Sequence, residues 1–72
     1  MPITDADLEN WFTYHAPEGD QAKRYENIRT AGLMMARVIV ASTPPSADQT
    51  AAIRKIREAV MTANAAIACG GR

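Results

Sequence analysis

The sequence predicts an all-α protein: a short N-terminal helix plus a long antiparallel helical hairpin, assembled as a homo-oligomer. Three observations carry this. Apolar residues recur every three or four positions in two long stretches, one from Tyr25 to Ile39 and one from Ile53 to Ile67. Between them stands Thr43-Pro44-Pro45, which cannot continue a helix because each proline lacks an N–H and restricts the residue before it. Finally, the 72 residues form a domain that buries only about 60% of the surface its unfolded chain exposes. Scaffolds this small are usually reinforced by disulfides, a metal or partner chains. Cys69 is the single cysteine and His15 the single histidine, so neither an internal bridge nor a structural zinc shell is available. Self-association is the remaining support.

The elements follow in order within a single domain, 1–72. Thr4 reads as an N-cap followed by the first-turn acids Asp5 and Asp7, and Leu8, Trp11 and Phe12 then fall on one face, so a helix is expected over about 5–12. Thr13 to Gly19 (TYHAPEG) is a connecting loop, with Pro17 and Gly19 interrupting helix. Asp20 is positioned to cap a second helix over about 21–42, whose stripe is Tyr25, Ile28, Met35, Val38 and Ile39. Ser46 and Gln49 have the S-x-x-Q spacing of a capping box. They open a third helix over about 47–69, with Ile53, Ile56, Val60, Met61, Asn64 and Ile67 in register and Gly70-Gly71 as the stop. Two helices of matching length, each spanning about 33 Å, joined by a short connection make an antiparallel hairpin the economical arrangement.

A lone hairpin leaves one feature unexplained. From Ala59 to Cys69 the polar residues are only Thr62 and Asn64, and Ala31 to Ala41 is interrupted only by Arg37. A helix apolar on most sides must be covered on most sides. Other copies of the chain are expected to cover these segments, with Gly32, Ala36, Ala63 and Ala66 permitting close approach.

Composition narrows the function classes. Eight Lys and Arg balance eight Asp and Glu, so no global field attracts duplex nucleic acid or an anionic membrane. No apolar stretch approaches the ~20 residues of a membrane span. The N-terminus lacks the basic and apolar regions of a secretory signal, and a cytoplasmic location is expected. No nucleophile–base pair, metal cluster or phosphate-binding glycine loop stands out, so neither catalysis nor a cofactor is expected. Asp5 and Asp7 could hold a metal, but acids in a first turn ordinarily serve the helix dipole.

The informative cluster lies in the loop and the first turns of the second helix: Tyr14, His15, Gln21, Lys23, Arg24, Tyr25 and Arg29. Aromatics beside cations at a helix N-terminus supply the parts for a phosphate next to a stacked base. Ordinary roles stand beside that one. Tyr25 shares the core stripe with Ile28, Lys23 with Glu26 fits a solvated face, and His15 fits a hydrogen-bonding role in the loop. Trp11 and Phe12 fit the apolar face of a helix closing the hairpin. Arg24 and Arg29 lie about 140° apart around the helix, so both face one ligand only if two subunits contribute.

Three strings of this chain resemble a known family: FTYHAPEGDQAKRYENIR (Phe12 to Arg29), TPPS (Thr43 to Ser46) and EAVMTANAAIA (Glu58 to Ala68). They are similar to the small phage anti-CBASS sponge proteins, and the similarity covers most of the chain. The resemblance implies a helical homohexamer in the host bacterial cytoplasm. It further implies binding of cyclic dinucleotides such as cyclic GMP–AMP and, at separate sites, cyclic trinucleotides, which are sequestered without cleavage so that CBASS effectors are not activated. It also implies that Tyr14 stacks on a base and that a cation of the second helix, Arg29, holds a phosphate where some relatives carry Lys. The alternative is a helical protein-interaction adaptor with no nucleotide ligand.

Overall fold

The computed structural model describes residues 2–72. They form three helices, α1 (Asp5–Phe12), α2 (Gln21–Ser42) and α3 (Ala47–Ala68), with no strand among the described residues. The dominant packing is α2 against α3. Their register is antiparallel: Arg29 shares a groove with Asn64 and Ala65, Gly32 faces Val60, and Val40 meets Gln49.

Gly32 sets the closest approach of the two long helices. A Cβ at that position would lie 2.6 Å from Val60 Cγ2 and 3.7 Å from Ile56 Cγ2, and the first distance is a clash with a short, stiff β-branched side chain. The small residue expected to admit a neighbouring copy therefore serves the hairpin itself.

The connection Thr43–Ser46 is held by side chains. Thr43 returns its N–H and its hydroxyl to the Ile39 carbonyl at 3.1 and 2.7 Å, closing α2. Ser46 Oγ accepts from the Gln49 N–H at 3.1 Å, as an N-cap should. The other half of the predicted capping box is different. Gln49 Nε2 crosses the turn and donates toward Val40 O, Thr43 O and Thr43 Oγ1 at 3.4, 3.2 and 3.1 Å. The last carbonyls of α2 have no partners within their helix, and Gln49 reaches them because the tight turn brings them close.

Helix α1 opens with a reciprocal box: the Asp7 N–H donates to Thr4 Oγ1 at 3.1 Å and the Thr4 N–H to Asp7 Oδ2 at 3.0 Å. Asp20 does not cap α2 with its side chain. Its carboxylate instead lies 3.8 Å from Arg24 Nη1, while Gln21 Oε1 accepts from the Glu18 N–H at 2.9 Å and so fixes the entry to α2. At the far end, α3 closes in a Schellman turn, with the Gly71 N–H on Ala66 O and the Gly70 N–H on Ile67 O. Gly70 and Gly71 have φ of +67° and +78°, a region glycine enters without steric cost. This turn brings the Arg72 carbonyl within 2.8 Å of Trp11 Nε1, and Cys69 O within 3.3 Å of Asn10 Nδ2, clasping α1 to the end of α3. Trp11 thus closes the hairpin as expected, whereas Phe12 points away and is 85% exposed.

No described side chain is fully buried. The accessible surface is 5824 Å², against about 4,400 Å² for a compact monomer of this mass. The radius of gyration is 15.3 Å, against about 11 Å for a compact domain of this length. Leu33, Met34, Met35, Val38, Val40 and Met61 all stand more than half exposed, so the apolar segment of α2 lies open on the hairpin, whereas on α3 Met61 is exposed and Ile53, Ile56, Val60 and Ile67 are half-buried.

Candidate functional site

The loop between α1 and α2 lies against one end of the hairpin and forms a groove of about 370 Å³. Tyr14, His15 and Pro17 of the loop, Tyr25 and Arg29 of α2, and Asn64, Ala65 and Ala68 of α3 line it. Tyr25 and Arg29 are four residues apart and so share a helix face. An adjoining polar recess carries Glu18 and Gln21 beside Tyr14 and His15.

His15 fixes the loop. Its Nε2 is 2.7 Å from the Asn10 carbonyl. A carbonyl can only accept, so Nε2 carries the proton in this contact. Asn10 in turn donates to Cys69 O at 3.3 Å, so a chain of polar contacts runs from the loop through α1 to the end of α3. Tyr14, next along, is left 84% exposed with its ring open to the groove.

The cations divide. Lys23 Nζ lies 4.0 Å from Glu26 and Arg24 lies 3.8 Å from Asp20. Both pairs are long and exposed, and such pairs contribute about 0–1 kcal/mol, but they direct these cations along their own helix. Neither residue lines the groove. Arg29 has no carboxylate partner among the described residues and does line it. The chain's neutrality also hides a polarity. Residues 1–28 carry six acids and two bases, residues 29–72 two acids and six bases, giving −4 and +4. Arg29 is the first cation of the basic half.

Of the seven residues singled out in the sequence, Tyr14, His15, Tyr25 and Arg29 therefore meet at one groove, Gln21 lines the adjoining recess, and Lys23 and Arg24 stand outside both. Asn64 joins them from α3, where the pattern had assigned it to the apolar stripe. Its Oδ1 is buried and finds no hydrogen-bond donor among the protein's groups, which costs about 1–3 kcal/mol. The signal was present in the sequence as a lone carboxamide inside AVMTANAAIA. Its meaning depended on which face of α3 the loop covers.

The arrangement offers aromatic faces, an unneutralised guanidinium and a carboxamide on one wall, with no group of three metal-ligating side chains among the described residues. It is equipped to hold a planar, anionic ligand. A family model described as the Acb2/Tad1 hairpin domain matches residues 4–68. Neither the curated proteins nor the solved structures give a match.

Proposed function

The chain belongs to the Acb2/Tad1 hairpin family, the anti-CBASS cyclic-nucleotide sponges, and on that premise we propose that it binds cyclic oligonucleotide second messengers stoichiometrically and withholds them from their effectors without cleaving them. Cyclic dinucleotides such as cyclic GMP–AMP are its ligands in this proposal, with cyclic trinucleotides as a second class. The observation that carries it is the groove that sets Tyr14 and Tyr25 beside the unpaired Arg29. Tyr14 stacks on a base, and Arg29 forks onto phosphate oxygens. His15 acts at one remove, by fixing the loop through Asn10.

Self-association belongs to the same proposal. A cyclic dinucleotide has two bases and two phosphates, and a two-fold interface presents the same residues twice. The open apolar face of α2, with Met61 of α3, gives copies of the chain something to bury, and a homohexamer in the host bacterial cytoplasm is the assembly proposed. Arg24, turned away from its own groove, is then available to a ligand held by a neighbour.

Titration calorimetry with a panel of cyclic di- and trinucleotides tests this. Saturable heat at a fixed ligand-to-subunit ratio is expected, together with a rise in melting temperature. If no cyclic nucleotide gives heat or stabilisation at micromolar concentration, the adaptor alternative replaces it.

A further inference from the structure

One side chain in the groove is unfinished. Asn64 is the only polar residue that α3 contributes to the lining, its neighbours there being Ala65 and Ala68. Among the described residues no other buried side-chain nitrogen or oxygen lacks a partner as its Oδ1 does. An apolar residue would fill this position without the penalty of an unpaired acceptor. A carboxamide there makes physical sense if something entering the groove completes it.

We propose that Asn64 is a specificity-determining residue that pairs with the amino edge of an adenine base held in the groove. The inference rests on the nucleotide function proposed above and names the base that function prefers. A carboxamide presents one acceptor and one donor side by side. Adenine offers the complement along one edge, an N6 amino donor next to the N7 acceptor. Pairing requires the amide to turn its inward oxygen toward the groove about its broad last torsion, so that both ends face the base at once. Along that same edge hypoxanthine and guanine present O6 and N7, two acceptors, and leave Oδ1 facing an oxygen; Asn64 is assigned to this edge and not to the N1 edge, where hypoxanthine would pair through N1–H and O6. Tyr14 and Tyr25 stack on any base, because every base has a π-face. Discrimination therefore falls to Asn64.

The test compares cyclic di-AMP with cyclic di-IMP, its analogue with O6 in place of the amino group, by calorimetry on the intact protein and on Asn64→Leu. The wild type should bind cyclic di-AMP about tenfold more tightly. In Asn64→Leu that preference should collapse through weaker binding of cyclic di-AMP, while the unliganded variant melts at a higher temperature because the orphaned acceptor is gone. Equal affinities in the wild type overturn the proposal without recourse to any variant, and are what a ribose hydroxyl on Asn64 would give. A preference that survives in Asn64→Leu overturns it as well. If neither nucleotide binds the wild type, the proposed function fails and this inference fails with it; if both bind equally, only the inference fails.

Discussion

The residue scale separates side chains that hold the groove from those that fill it. Tyr14 contributes a ring that is almost fully exposed, so Tyr14→Ala should leave the fold intact and weaken cyclic dinucleotide binding by the stacking contribution, about 1–3 kcal/mol. Arg29→Ala should weaken it comparably, and Arg29→Lys should recover part of the loss, since charge is kept and the fork is not. Calorimetry alongside light scattering checks both, and unchanged affinity in the two alanine variants would move the site elsewhere. Gly32→Ala acts on structure. Alanine favours helix by up to about 1 kcal/mol over glycine, but its Cβ would meet Val60 at 2.6 Å and overpacking costs about 1–3 kcal/mol. The expected outcome is a lower melting temperature. The proximity of four proposed site residues was legible: Tyr14, His15, Tyr25 and Arg29 lie within sixteen positions of one another and line one groove. Asn64 comes from a helix distant in sequence, and Lys23 and Arg24 were drawn away by acids three and four residues off.

At the scale of elements, the ends of the helices carry more information than their middles. Ser46 and Gln49 together tie both long helices across the turn. Gln49→Ala should therefore destabilise the hairpin by about 1 kcal/mol, the usual worth of a cap, and lower the melting temperature by about 4–8 °C. Helix α1 carries an acid-sensitive cap. Backbone and then side-chain hydrogen bonds from Thr4 hold the Asp7 carboxyl below its ordinary value of 3.8. A carboxyl whose pKa is depressed by folding contributes stability above its unfolded value and loses it as the pH falls through the folded one. Fraying of α1 is thus expected below about pH 3.8, reported by Trp11 fluorescence, and Asp7→Asn should remove that component. Helix positions were legible because Thr4, the Pro44-Pro45 pair and Gly70-Gly71 punctuate the chain chemically. Cap partners were less so. Asp20 has a capper's side chain but a carboxylate within reach of Arg24, and Gln49 is drawn to carbonyls that only the folded turn brings near.

The whole molecule is a hairpin without an interior. Its surface exceeds that of a compact monomer of the same mass, and large apolar side chains stand open along α2 and at Met61 of α3. Copies that cover them would make stability depend on concentration, so the melting temperature should rise as the protein is concentrated. A concentration-independent melt with a monomeric mass in solution would remove the shared pocket. The central claim is that the protein holds a cyclic nucleotide and does nothing to it. The most direct measurement incubates cyclic GMP–AMP with the protein, separates the complex, denatures it and identifies the released nucleotide by chromatography. Stoichiometric recovery of the intact cycle is predicted; linear nucleotide, or a protein fraction that retains none, would contradict it.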